Sequence, residues 1–434
     1  MLEEFQKHIE TNFQNLLKSK FLLACSGGLD SAVLVDLCSK SKLDFAIAHC
    51  NFNLRGQASI KDEEFVRELS VLNNKKYYIT NFDTIGYVEK NKVSVQVGAR
   101  ELRYDWFSKI MLENDIKSLV TAHHVDDSVE TFLINLSRST GIDGLSGIPE
   151  KTDTISRPLL RFSRSQVLAY AEAQNLQWRE DASNADTKYL RNKIRHEIVP
   201  LLKDLNPSFL KNFTKTQDYL SDSAVIIEKH IAELKFSLFQ EKDGVIRIPV
   251  SELLELKPVS AYIHALFKEY GFTEWNDAEN LLLAMSGKEI HSKTHRLVKD
   301  RDFLLLTEIK KEIDVVYQIK EDQIQVSEPV PLKIESVKHL SSLNTNTLYV
   351  DKKALKYPLT IRKWEKGDYF YPLGMQGRKK LSKFFKDEKI DVVSKERQWL
   401  LCSAGEVVWV IGRRADERFK VTESTSEILK FTLN

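Results

Sequence analysis

Along the first two hundred residues, short apolar runs alternate with stretches whose apolar positions recur at helical spacing. FLLAC (21–25) precedes SAVLVDLCSK (31–40), and DFAIAHCNF (44–52) precedes IKDEEFVRELSVLN (60–73). KKYYIT (75–80) is followed by QVGARELRYDWFSKIMLEN (96–114), and KSLVTA (117–122) by DSVETFLINLSRS (127–139). Strands alternating with helices predict βαβ units on a mainly parallel sheet, and in such sheets ligands sit beyond the carboxyl ends of the strands. Each run here ends on a polar cluster: CSGG, HCNFN, TNFD and AHHVDD. The pattern therefore predicts one site assembled from several strand ends.

Beyond Asn206-Pro207, a dipeptide that marks a turn or helix entry, the period changes. Ser208 to about Glu241 reads as helix, then GVIRIPV as a short strand. Two helical runs follow (251–270 and 276–287), and HRLVKD with DFLLLTEI reads as a strand pair. The stretch 310–337 alternates apolar and polar residues around prolines and reads as linker plus edge strands. The last hundred residues carry strand-like runs (TLYVD, LTIRKW, WLLCS, VVWVIG) around a basic helix. The expected fold is α/β: an N-terminal Rossmann-like domain with a parallel sheet (1–206), a mainly helical middle domain (207–310), a linker with edge strands (311–345), and a small α+β C-terminal domain (346–434).

Composition narrows the class. At 434 residues the chain is too long for one ordinary core, and 42% hydrophobic with 29% charged residues is a globular balance. With 64 Lys and Arg against 62 Asp and Glu, the chain is no polycation, so any nucleic-acid surface must be a local gathering of basic residues. Four cysteines at no paired spacing argue against structural zinc, an iron–sulfur cluster or a CxxC redox site, and suit a reducing compartment. The first twenty residues lack the order of a signal peptide, and no apolar run approaches the ~20 residues that span a bilayer. A cytoplasmic protein without a membrane partner is expected.

The candidate chemistry begins at SGGLDS (26–31). Gly27 and Gly28 let backbone N–H groups approach phosphate oxygens with no Cβ in the way. Ser26 and Ser31 add hydroxyls, and the helix that follows aims its positive end at an anion. No Gly-Lys-Ser/Thr follows, so this is not a Walker A loop, and the third glycine of a dinucleotide fingerprint is missing. A tight strand-to-helix turn of small residues would use the same letters. The whole hexapeptide resembles the pyrophosphate loop of the N-type ATP pyrophosphatases (PP-loop proteins), which split ATP into AMP and pyrophosphate while adenylating a substrate.

Further strings resemble one branch, the tRNA(Ile)-lysidine synthetases. AHCNFNLRGQASIKDEEFV (48–66) carries His49, Asn53, Arg55 and Asp62, with Ser59 and Asp62 also at capping-box spacing. ARELRY (99–104) puts Arg100 and Arg103 on one helical face, either to grip phosphates in forks or as a solvated basic face. TAHHVDDSVETFL (121–133) gathers His123, His124, Asp126, Asp127 and Glu130 at a helix start. That is favourable to the helix dipole alone, and equally suited to magnesium held with ATP phosphates. Family members usually have glutamine where this chain has Ser128. SRSTGIDGLSGI, with Gly141, Gly144 and Gly147, continues the match, as do RPLL (157–160) and REDASNADTKYLRNKIRHEIVPLL (179–202). In the latter, Asp181, Ser183 and Asn184 read as a polar loop, with Arg191, Asn192 and Arg195 on the helix after it.

RKKLSKFFKDEK (378–389) holds six basic and two acidic residues around Phe384 and Phe385, whose rings are expected to pack inward while the lysines face RNA. Its frame resembles the family's tRNA-engaging C-terminal domain, with Arg362, Arg378, Lys379, Arg413, Asp416 and Arg418 on the motif positions.

What the resemblance implies is ligation of free L-lysine to the wobble cytidine of a CAU-anticodon tRNA(Ile). ATP adenylates the base and releases pyrophosphate; the lysine ε-amine then displaces AMP. Ser26, Gly27, Gly28, Leu29, Asp30, Ser31, His49, Arg100, Arg103 and His123 would bind ATP. Asp30, Asp127 and Glu130 would be catalytic, with Asp127 and Glu130 the expected Mg2+ ligands. Arg191, Arg195, Arg362, Arg378, Lys379, Lys380, Arg413 and Arg418 would meet tRNA. Whether the chain pairs as a homodimer is left open by the sequence. A tRNA thiolase of the same superfamily and a non-catalytic RNA-binding protein with a relic nucleotide fold are the alternatives.

Overall fold

The computed structural model describes residues 1–180, 190–309, 315–341 and 344–433. Asp181, Ser183 and Asn184 lie outside the described residues. The chain forms two compact units, Met1–Glu228 and Lys229–Asn434.

In the first unit, β1 (Phe21–Ala24), β2 (Phe45–Asn51), β3 (Tyr77–Asn81), β4 (Leu119–Val120) and β5 (Ile155–Ser156) form one sheet in the order β3-β2-β1-β4-β5. Every pairing is parallel. Phe21, Leu22 and Leu23 are fully buried, as befits a strand covered on both faces. The helix Leu29–Lys40 buries eight of its twelve residues, which is why its apolar positions run almost all the way round rather than along one stripe. The amphipathic N-terminal helix Leu2–Asn12 lays Phe5 and Ile9 into the same core as Phe162 and Val167. From β1 the chain builds β2 and β3 on one side, then returns to add β4 and β5 on the other. The carboxyl ends of β1 and β4 thus flank a topological switch point, where open α/β sheets take ligands.

In the second unit, the expected strands Val245–Pro249 (β7), His295–Asp300 (β9) and Phe303–Glu308 (β10) belong to a five-stranded antiparallel sheet. Its outer strands are Gln240–Lys242 (β6) and Glu289–His291 (β8). Those outer strands are three residues each and largely exposed, so they leave no apolar alternation to detect. Helices Val250–Glu255, Val259–Phe267 and Trp275–Leu281 share a core with the sheet.

Two further antiparallel sheets follow: Tyr317–Ile319 (β11), Leu359–Lys363 (β15), Trp399–Ser403 (β18), Glu406–Val410 (β19) and Arg414–Ala415 (β20) in one, and Gln325–Val326 (β12), Leu332–Val337 (β13), Thr347–Asp351 (β14) and Ile428–Leu433 (β21) in the other. Tyr369–Phe370 (β16) and Lys379–Lys380 (β17) pair as a short antiparallel ribbon. Within the stretch read as linker and edge strands, β13 is an interior strand, because β21, some ninety residues later, pairs along its whole length.

Phe384 and Phe385 point inward, 4% and 0% exposed, with the Phe385 ring edge-on to Trp364 at 5.2 Å. Phe385→Ala is expected to cost about 3–5 kcal/mol, read as an earlier urea midpoint. A midpoint equal to wild type would show that this ring is not a core anchor.

Candidate active site

The turn after β1 is built by small residues. Gly27 sits at φ +87°, a left-handed conformation that favours glycine, and a Cβ there would lie 3.4 Å from both Phe65 and Val66. Gly28 forms the N-cap of the helix Leu29–Lys40. Ser31 Oγ donates to the Gly28 carbonyl at 3.0 Å and lies 3.3 Å from Ser26 Oγ, so the two hydroxyls brace the turn. The Arg179 N–H donates to the Gly27 carbonyl at 2.9 Å, while its Nε donates to Asp62 at 3.2 Å. Asp62 also pairs with Arg55 at 2.9 Å. The second polar segment and residue 179 therefore clamp the turn from outside.

Across the switch point, the segment after β4 supplies the charge. His124 caps the helix Val125–Leu136, and its backbone N–H donates to Asp127 Oδ2 at 3.0 Å. The His124 ring lies 3.7 Å from Asp30 Oδ1 and 3.6 Å from Asp127 Oδ2, so the loop helix and the β4 helix meet at this ring. Asp30 Oδ1 is buried without a hydrogen-bond partner. Burial raises the Asp30 carboxyl above its ordinary value, opposed by His124. For Asp127 burial also works upward, but His124, His123 and Arg195 outweigh it and hold the group below its ordinary value.

Glu130 is 1% exposed, and burial raises it despite its pairing. That pairing comes from the helix 190–205, which carries a π-turn at Ile194–Ile198. Arg195 donates to Glu130 Oε1 at 2.6 Å and Oε2 at 3.0 Å, and to Asp127 Oδ1 at 3.1 Å. Arg191 lies 3.6 Å from Glu130 and donates to Thr131 at 2.8 Å. Asp126, adjacent in sequence, is engaged elsewhere, accepting from the Arg164 N–H at 2.8 Å and pairing with Lys203.

The remaining expected ATP contacts line nearby strand ends. His49 Nδ1 lies 2.9 Å from the Cys25 carbonyl, and burial pulls the ring below its ordinary pKa. Arg103 stacks on Phe52 at 5.1 Å and Arg100 on Tyr104 at 4.7 Å. Sequence reasoning assigned no role to Arg157 or Arg179. Arg157 is buried beside Tyr104 with its Nε unpartnered, and burial lowers its pKa. Arg157 opens the RPLL string noted above, but nothing in that string marks the arginine as buried or gives it a role.

His123 is pulled down to about 4, mainly by burial. Between pH 6.5 and 4 the unfolded chain binds a proton here that the folded chain refuses, so the first unit loses stability as pH falls through that window. His123→Gln is expected to flatten this loss, seen in urea melts at pH 7 and pH 4.5. A slope identical to wild type would exclude His123 as its source.

Of the expected tRNA contacts in the second unit, Arg362 is held by Asp368 through two bonds of 2.8 Å. Arg418 is held by Asp416 at 2.9–3.0 Å and also pairs with Glu406. Lys379 pairs with Asp387 at 2.8 Å, and Arg413 donates to Gln398 at 2.7 Å. Arg378 and Lys380 are exposed, with Arg378 5.4 Å from the centre of the Tyr369 ring.

Among the described residues no group of three or more His, Cys, Asp or Glu is placed to hold a metal ion. Magnesium commonly takes only one or two carboxylates together with substrate phosphates. The unpartnered Asp30 oxygen beside Asp127 fits such a shared cation.

A glycine turn at a switch point, facing carboxylates at the end of the neighbouring strand, defines a PP-loop nucleotide-using protein, and residues 1–202 match the family model of the PP-loop domain. Residues 240–309 match the TilS substrate binding domain and 359–431 the TilS substrate C-terminal domain. The chain is 36% identical to the tRNA(Ile)-lysidine synthase of Parabacteroides distasonis, over 94% of each chain, and 35% identical to that of Bacteroides thetaiotaomicron, over 98% of each. It belongs to the tRNA(Ile)-lysidine synthase family. Among solved structures, the U34-tRNA thiolase NcsA from Methanococcus maripaludis is similar at TM-score 0.43 and 17% identity, covering 50% of this chain and 79% of that one.

Proposed function

We propose that this protein is an ATP-dependent ligase that converts the wobble cytidine of the CAU anticodon of tRNA(Ile) to lysidine. The observation that carries the reading is the meeting of the SGGLDS turn with Asp30, His124 and Asp127 at one switch point, in a chain of this family over nearly its full length. The turn's N–H groups and the Ser26 and Ser31 hydroxyls receive the ATP phosphates. The C2 carbonyl oxygen of the cytosine base attacks the α-phosphorus and pyrophosphate leaves; the ε-amine of free lysine, having lost a proton, then attacks C2 and AMP leaves with that oxygen.

Magnesium, when bound, would offset charge developing on the departing pyrophosphate; Asp30 and Asp127 would hold it rather than the expected pair Asp127 and Glu130, because Arg195 already takes both Glu130 oxygens. Glu130 works through Arg195: it fixes the guanidinium beside Asp127, so that Arg195 is aimed rather than free to fold back to solvent. Asp30 Oδ1, unpartnered and on a carboxyl that burial raises, is also the group available to steady the lysine ammonium and take its proton. Arg100, Arg103 and Arg157 supply cationic forks for nucleotide or RNA phosphate. Among the described residues no helix is long and apolar enough to cross a membrane, and all four cysteines are free. We place the reaction in the cytoplasm, with its tRNA and lysine.

The test is purified protein with a tRNA(Ile) transcript, ATP and labelled lysine. Label in the tRNA with lysine-dependent release of AMP is expected. AMP release indifferent to lysine, or sulfur rather than lysine in the product, would overturn the assignment.

A further inference from the structure

A cavity of about 460 Å³ lies within the second unit, lined by one residue expected to meet tRNA, Arg413, and by none of those expected to bind ATP or to be catalytic. One wall is the β6–β7–β10 sheet, contributing Lys242, Arg247 and Leu305; the other includes Arg397, Trp399 and Arg413. The walls are fixed to each other. Val298 and Leu305 pack with Val393, Arg301 donates to the Ile390 carbonyl at 3.1 Å, and Arg296 pairs with Glu396. The cavity is thus a built feature rather than a loose groove.

Its three arginines differ from the others nearby. Arg296, Arg362 and Arg418 each hold a carboxylate. Among the described residues, the two cavity arginines that donate hydrogen bonds, Arg397 and Arg413, do so only to neutral groups. Arg397 donates to the Asp243 carbonyl at 2.6 Å and the Thr307 hydroxyl at 3.2 Å, and Arg413 to the Gln398 amide oxygen. Arg247 stacks on Phe303 at 4.4 Å, and its buried Nε has no partner. Two carboxylates border the space. Asp391 and, more weakly, Glu388 act on Arg413, but Asp391 is already engaged, accepting from the Ser394 N–H at 2.8 Å and hydroxyl at 2.6 Å, while Asp243 offers its backbone carbonyl to Arg397. Three guanidinium groups and a lysine around one space, without an equal number of carboxylates, form a field that a multiply charged anion would neutralise.

We propose that this cavity binds a phosphate group, carried by a ligand up to nucleotide size, with Arg247, Arg397 and Arg413 as its forks. Its volume exceeds what bare phosphate fills and lies in the range of small-molecule sites. A free phosphate ester and a phosphate of bound RNA share this chemistry, and the experiment separates them.

The full chain is first saturated with a non-hydrolysable ATP analogue to fill the nucleotide site. It is then titrated calorimetrically with inorganic phosphate, with adenosine 5′-monophosphate and with adenosine. Phosphate and the monophosphate are expected to bind and adenosine not. Arg247→Gln and Arg413→Gln should each weaken binding about tenfold or more, the loss of one charge-assisted bond. Arg413→Lys, which keeps the charge without the fork, should fall between, and guards against a variant that merely fails to fold. Unchanged tRNA affinity in these variants assigns the site to a free ester. A parallel loss of tRNA affinity, with phosphate competing, assigns it to RNA. If neither phosphate nor tRNA binding responds in variants that melt like wild type, the proposal falls.

Discussion

Arg195→Ala is expected to abolish most ligation and to destabilise the first unit by about 3–5 kcal/mol, the usual cost of stripping one partner from a buried ion pair. Glu130 loses both of its close hydrogen bonds and keeps only the looser Arg191 contact. Burial already raises Glu130, and without Arg195 it rises further. The folded variant then holds a proton that the unfolded chain has released, so its stability falls as pH rises from about 4.3, the ordinary glutamate value. Urea melts at pH 5 and pH 8 should show the larger deficit at pH 8. Adding Glu130→Gln should recover most of the stability without recovering ligation, because Asp127 still lacks its cationic partner. A double variant that ligates normally would show that Arg195 serves the fold alone.

The second large effect separates activity from stability in the opposite sense. Asp30→Asn keeps the side chain's shape and removes the charge of a half-buried carboxylate whose Oδ1 is buried without a partner. Ligation should fall on the order of 10²–10³-fold, the scale seen when a group that stabilises transition-state charge is removed, and the magnesium concentration needed for half-maximal rate should rise. Thermal stability should stay level or increase, since a desolvated charge without full compensation opposes folding. A variant with the wild-type rate would remove Asp30 from the chemistry. One that loses both rate and stability would make it a structural group.

These two residues mark the limit of what the letters alone disclose. The parallel sheet and the glycine turn are legible because they are local: an apolar run, small residues and a helical period sit side by side. Asp30 and Asp127 follow from the turn and from the strand end opposite it. Glu130 bonding to Arg195 spans sixty-five positions and a π-turn, and no pattern within either helix specifies it. β5 is two residues long, too short to show a period. Arg362 and Arg418 are visible as charge, but charge has a sign and no address. Their partners Asp368 and Asp416 lie only six and two positions away, but no pattern in the letters says that each carboxylate holds that arginine rather than facing solvent.

One strand bears on the order in which the protein can be made. β21 lies between β13 and β14, pairing with Leu332–Val337 on one side and Thr347–Asp351 on the other. Those two neighbours are synthesised some eighty to ninety residues earlier and have no pairing to each other in the finished sheet. A ribosome that has released the parallel sheet, the SGGLDS turn and the Arg195 helix can let the first unit fold as it emerges, since domains generally fold as units during synthesis. The last sheet has no such option: two exposed strand edges wait for the final segment, a long-range closure that is intrinsically slow. A nascent chain stalled before residue 428 would therefore carry a nucleotide site ready to load and an unfinished sheet open to pairing with the wrong neighbour.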